Sequence, residues 1–188
     1  MNLEKRHQFW IFAGFVALIG ATHGHHFGTA LHLPPAAWAV FFVLGFYVRS
    51  AWAFGALVAE IVAIDYFAIT VGGVSAFCVS PAYGFLLPAY GTLWLAGRWF
   101  AGRYSLTLKA LPALFVSLVA SFSLAELFTS GGFYFFSGRF AETTLAEFGS
   151  RLLKYAPGSL EAFAFWIGIA AIAHIALALV VGSTRKQA

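Results

Sequence analysis

Six apolar runs, each broken by short stretches holding Gly, Pro, His or basic residues, dictate what this chain can fold into. They cover about Gln8–Thr22, Leu33–Val48, Ala51–Val71, Pro81–Ala101, Leu108–Thr129 and Ser159–Gly182. A helix crossing a bilayer needs roughly 20 mostly apolar residues, so each run is a candidate span, some of them short. Charged residues make up only 10% of the sequence, against about 25% in soluble domains, while 61% is hydrophobic and the mean hydropathy is +0.85. A water-soluble fold of 188 residues has too little interior to hide that much apolar surface. The sequence therefore predicts an all-α integral membrane protein, a single transmembrane domain over residues 1–188 with the lipid bilayer as its solvent.

Lys and Arg positions orient the spans. With six crossings, Lys5, Arg6, Arg49, Arg98, Arg103, Lys109, Arg185 and Lys186 fall on one side, leaving Arg139, Arg151 and Lys154 on the other beside Glu142 and Glu147. The positive-inside rule then places both termini in the cytoplasm. The outer loops, about 23–34, 72–82 and 130–158, face the opposite compartment together. Lys5 and Arg6 ahead of an apolar stretch have the look of a signal peptide. No small-x-small cleavage pattern follows and Trp10 suits an interfacial anchor, so a retained first helix is expected. The net charge of +4 is used up by this topology and implies no nucleic-acid partner. Pro34 and Pro35 suit the first turn of the second helix. In the third outer loop, Thr144 and Glu147 fit a capping box for a short helix with Leu145, Phe148 and Leu152 on one face, lying on the membrane or over the site.

The polar residues that remain are few. Asp65 and Glu60 stand inside the third run, where an ionisable group is expensive and usually has a purpose. At about 1.5 Å per residue, Asp65 lies within roughly 10 Å of the outer surface and is expected to contact ligand. Glu60 is deeper and is expected to pair with another helix, as are Glu126 and His174. The stretch Gly72–Gly84, GGVSAFCVSPAYG, carries the sole cysteine, Cys78, and Tyr83. One cysteine excludes an internal disulfide. In a Gly/Ser/Pro loop it reads either as a small buried hydrophobe or as a soft ligand for a late transition metal. The first outer connection holds His23, His25, His26 and His32, suited to metal ligation or simply to the headgroup level. Ala13, Ala17 and Ala21 repeat every four residues on the first helix, a row that admits close approach of another helix, within the chain or from a partner. No Gly-Lys pair occurs, so a phosphate-binding P-loop is excluded.

Taken with these residues, the chain resembles the substrate-binding S-components of energy-coupling factor (ECF) vitamin transporters, and within that group the BtuM-like cobalamin transporters. The residues that carry the resemblance are His26, Asp65, Cys78 in SAFCVSPAYG, Tyr83, Arg151 and the Ala13/Ala17/Ala21 row. The resemblance implies a six-helix S-component-like bundle in the bacterial inner membrane that binds cobalamin (vitamin B12) from the periplasmic side. Cys78 would be the axial ligand to the cobalt of cobalamin, and His26, Asp65, Tyr83 and Arg151 would contact the corrin or its side chains. It also implies stoichiometric loss of cyanide from cyanocobalamin at Cys78, ligand exchange during uptake rather than ordinary turnover. The alanine row would meet the transmembrane coupling subunit of an ECF module with its ATPases, or the protein would work without one. Two other classes stay open: a membrane haem or metal oxidoreductase using the outer histidines and His174, and a transition-metal ion transporter using His25, His26 and Cys78.

Overall fold

The structure is a computed structural model, and it describes residues 4–23, 33–48 and 50–187. Helices dominate these residues, and no strand occurs among them. They are α1 (Lys5–Thr22), α2 (Ala37–Tyr47), α3 (Ala51–Thr70), α4 (Leu86–Ala101), α5 (Leu111–Glu126), α6 (Gly132–Phe136) and α7 (Leu145–Gln187). Short 3-10 turns cover Ala76–Cys78, Pro81–Phe85 and Leu108–Ala110, and a π-helical turn, Leu127–Gly131, joins α5 to α6. Three helical stretches are long and apolar enough to cross a membrane: Ala51–Thr70, Leu108–Phe136 and Leu145–Leu179. Large apolar side chains such as Trp52, Phe115, Ile172 and Leu177 are mostly exposed on their outer faces. Only a lipid solvent makes so continuous an apolar exterior stable, so the protein is membrane-embedded.

α2 is apolar on every side, AWAVFFVLGFY, and such a helix belongs inside a bundle. It sits at the centre, packed against α1, α3, α4 and α7. Phe41, Leu44, Leu57, Leu93 and Ile19 are fully buried around it. Its crossing with α4 is set by two glycines. A β-carbon on Gly45 would lie 2.0 Å from the Trp94 carbonyl oxygen, and one on Gly97 would lie 1.9 Å from that of Phe42. The two backbones therefore touch, which only hydrogen side chains permit. Phe41 stacks on Tyr90 of α4 at a centroid distance of 4.3 Å, locking the same pair.

Several sequence boundaries are revised. Pro34 and Pro35 precede α2 rather than opening it, and the Pro34 carbonyl accepts a hydrogen bond from Trp166 Nε1 at 2.9 Å. The fourth helix begins at Leu86, behind a 3-10 turn, because Pro81 and Gly84 favour a turn over a long regular start. The fifth run continues helically to Phe136. The largest revision concerns the third outer loop, which shrinks to residues 137–144: the short amphipathic helix and the sixth span are one helix, α7. Pro157 lies inside it without ending it. The capping box is half formed. Thr144 Oγ1 accepts from the Glu147 backbone N–H at 3.2 Å, but the Thr144 N–H donates to the Tyr134 hydroxyl at 3.0 Å. The Glu147 carboxylate turns instead to Arg151. Of the apolar face expected there, Phe148 and Leu152 are half-buried and Leu145 is exposed.

Candidate functional site

Asp65 is the centre of a polar cluster at one end of the bundle, where α1 and α3 finish and α4 begins. Its carboxylate is held from two sides. His23, just past α1, places Nε2 3.1 Å from Asp65 Oδ1. Tyr83, in the turn before α4, donates its hydroxyl to Oδ2 at 2.6 Å. The His23 and Asp65 side chains are 17% and 30% exposed, so this pair is intermediate between a solvated and a dry one. Its worth lies between the roughly 0–1 kcal/mol of an exposed pair and the 3–5 kcal/mol lost when a buried one is broken. Burial first, then the hydrogen bond and charge of Asp65, push the Tyr83 phenol above the usual tyrosine range. Tyr83 is therefore a fixed donor, and one carboxylate orients groups from two other parts of the chain.

The stretch after α3 turns back on the end of its own helix. Gly73 takes a left-handed backbone (φ 68°) that a β-carbon would strain, and the Val74 N–H returns to the Ala68 carbonyl at 3.1 Å. The Ser75 hydroxyl accepts from the Phe77 N–H at 3.2 Å and so starts the Ala76–Cys78 turn, whose last residue is Cys78. Phe77 is half exposed. It packs on Phe133 and lies under the Arg139 guanidinium, 4.8 Å from the ring centre. The close of this end depends on another tight fit, since a β-carbon on Gly132 would enter the Phe85 ring at 2.6 Å.

Arg151 is brought to the same end, on the first turns of α7, but into a second cluster. Its guanidinium lies over Phe140 at 4.7 Å and Tyr134 at 5.6 Å. Its Nε stands 2.9 Å from Glu147 Oε1 in an ion pair without hydrogen-bond alignment. No contact joins it to Asp65 among those described. His25, His26 and His32, and the side chain of Cys78, lie outside the described residues. Among the described residues no group of three His, Cys, Asp or Glu is placed to hold a metal ion.

The other intramembrane groups divide. His174 makes the interhelical bonds expected of it, with the Tyr47 hydroxyl at Nδ1 and the Tyr104 hydroxyl 2.5 Å from Nε2. Glu126 does not: it is 4% exposed, accepts from Ser130 of its own helical stretch at 2.6 Å, and leaves Oε2 without a partner among the described residues. Ser130 lies in the π turn that follows it. Glu60 faces α1, its Oε1 3.8 Å from where Gly20 would carry a β-carbon. Ala17 and Ala21 are exposed and Ala13 is half-buried.

The sequence singles out Asp65 and Tyr83, offers His23 only as one of four candidate histidines, and does not point to Arg139, Phe77 or Tyr134. The available signal for His23 was its position one helical turn past Ile19, the last fully buried residue of α1. No known protein family matches the chain, and comparison with curated proteins gives no match.

Proposed function

We propose that the chain is a cobalamin-binding membrane transport protein of the BtuM-like kind, related to ECF S-components, with Cys78 as the axial ligand to cobalt. The observation that carries this reading is the placement of Asp65, fixed by His23 and Tyr83, at the same end of the bundle as the Ala76–Cys78 turn and Arg151. A corrin is large and its rim bears neutral amides. Such a ligand calls for fixed acceptors and donors and for apolar area; the Asp65 carboxylate bonded by His23 and Tyr83 supplies the first, and the half-exposed Phe77 offers apolar surface at the same end. His26 and Arg151 complete the proposed contacts.

The proposed topology has six spans, cytoplasmic termini and a site facing the periplasm from the bacterial inner membrane. The basic residues of the opposite end, Arg98, Arg103 and Lys109, support that orientation. The exposure of Ala17 and Ala21 supports a face open to another helix, that of an ECF coupling subunit where such a module takes part.

Chemically, the Cys78 thiolate takes the lower cobalt position after the nucleotide base leaves it, so a base-off form is favoured. Sulfur donates its electron pair to cobalt, and donation across the metal weakens the opposite cobalt–carbon bond. Cyanide departs with that bond's pair and water takes the vacated position, leaving the oxidation state of cobalt unchanged. The exchange is stoichiometric with protein. A haem reading loses support from His174, both of whose ring nitrogens are engaged by phenols.

The test is an absorption spectrum of purified protein incubated with cyanocobalamin, beside Cys78→Ala. The expected result is a bound corrin with shifted bands in the wild type and unshifted bands in the variant. Bound, unshifted corrin in both removes the cysteine chemistry. No retained corrin in either overturns the assignment.

A further inference from the structure

The end of the bundle opposite Asp65 holds a cavity of about 460 Å³ between the C-terminal parts of α2 and α4, the start of α5 and the middle of α7. That volume lies within the roughly 300–1,000 Å³ of small-molecule sites. Its inner wall is apolar, built from Phe42, Phe46, Leu114 and Ile167. Polar groups gather towards the bundle end, where His174 lies between Tyr47 and Tyr104.

The chemistry of that trio leaves one hydrogen over. A neutral imidazole has one N–H and one lone pair, so one phenol donates to the ring and the other accepts from it. The accepting phenol keeps its own hydrogen, and neither hydroxyl has a further partner among the described residues. A protonated ring would leave both phenols with theirs. Since Tyr47 and Tyr104 both line the cavity, its occupant meets a hydrogen-bond donor above an apolar shaft.

Ser105–Leu108 also line the cavity, and Leu106, Leu108 and Ile175 of α7 are at once lining and exposed, so it opens to the surface there. Lys109 follows immediately; it is exposed and has no ion-pair partner among the described residues. Basic residues beside a pocket between membrane helices attract anionic head groups.

We propose that this cavity binds an anionic amphiphile of the bilayer: its hydrocarbon chain fills the shaft towards Leu114 and Ile167, a carboxyl or ester oxygen accepts the spare phenol hydrogen beside His174, and Lys109 pairs with its charge. A phospholipid and a free fatty acid share this chemistry, and the experiment separates them.

Delipidated protein is mixed with phosphatidylglycerol, phosphatidylcholine or palmitic acid and followed by native mass spectrometry under activation that strips annular lipid. One retained equivalent of phosphatidylglycerol is expected, with phosphatidylcholine held more weakly. Retention of palmitic acid alone assigns the site to a single-chain amphiphile. Ala171→Trp and Ala170→Leu, which add bulk at lining positions, should each lower retention about tenfold, and Lys109→Gln about fivefold. Loss of retention counts only where the melting temperature matches the wild type. Independently of any variant, a phosphatidylglycerol with a diazirine on its chain should label Leu114 and Ile167 in the wild type. No retained amphiphile, unchanged retention in both bulk variants, or labelling spread over lipid-facing residues such as Phe115 and Ile172 overturns the proposal.

Discussion

Asp65 is held by residues from two other parts of the chain, and that makes its environment measurable. Removing the Tyr83 hydroxyl deletes one hydrogen bond to a half-buried carboxylate, so Tyr83→Phe should cost about 1 kcal/mol, read as a lower melting temperature. His23→Ala should cost a similar amount, and the two together should be non-additive because both act on one carboxylate, which a double-mutant cycle checks. The raised pKa of Tyr83 also sets a pH window. A folded-state value above the ordinary 10.0 means the native protein keeps a proton that the unfolded chain loses. The resulting stabilisation is complete below pH 10 and is lost as pH rises towards the folded value. Tyr83→Phe should therefore flatten the alkaline decline in melting temperature, and an unchanged slope would detach Tyr83 from the Asp65 charge. At this scale the sequence was informative where chemistry conflicted with context. Asp65 stood out because a carboxylate in an apolar run needs a reason, and Tyr83 because it shared a loop with the only cysteine. His23 was one of four histidines in a loop without periodicity, and only the end of α1 distinguishes it. Arg151 is legible as a cation, and its pairing with Glu147 follows from i,i+4 spacing, but its aromatic partners Tyr134 and Phe140 lie too far away in sequence for spacing to connect.

Helix existence followed from hydropathy, whereas helix ends followed from packing. Pro157-Gly158 reads as a break, yet α7 passes through it. Its flanking turns are helical on both sides, so the long helix prevails over local turn preference. Pro34 and Pro35 were assigned to a helix they only precede, since their carbonyl end is claimed by Trp166 across the bundle. The glycines of the central crossing were invisible to periodicity because nothing in a run of apolar residues says which face meets another backbone. That crossing gives a sharp comparison. Gly97→Ala and Gly45→Ala each drive a methyl into a carbonyl of the opposite helix and should cost about 3 kcal/mol, the upper range for overpacking. Gly14→Ala on α1 meets nothing within 4 Å and should be neutral or gain up to about 1 kcal/mol from helix propensity. Equal thermal shifts for the two kinds of variant would remove the backbone contact from the account of stability.

For the molecule as a whole, the distribution of charge predicts which surface meets which compartment. Cys78 is the only thiol, so it reports topology without engineering. A membrane-impermeant maleimide should label it in cells with intact inner membranes, and bound cyanocobalamin should slow the labelling. In a Cys78→Ala background, Ser105→Cys should react only after permeabilisation; the reverse pattern would invert the proposed orientation.

α7 carries the last consequence. Its 43 residues make a rod of about 65 Å, roughly twice the thickness of a hydrocarbon core, so it extends beyond the bilayer or lies strongly tilted in it. One end presses Phe148 and Arg151 against Tyr134 and Phe140, and farther along His174 lines the opposite cavity. No loop interrupts the helix between these two ends, and Pro157 is its one interior proline. The two ends are therefore tied by one helix, and a change in its tilt would move both.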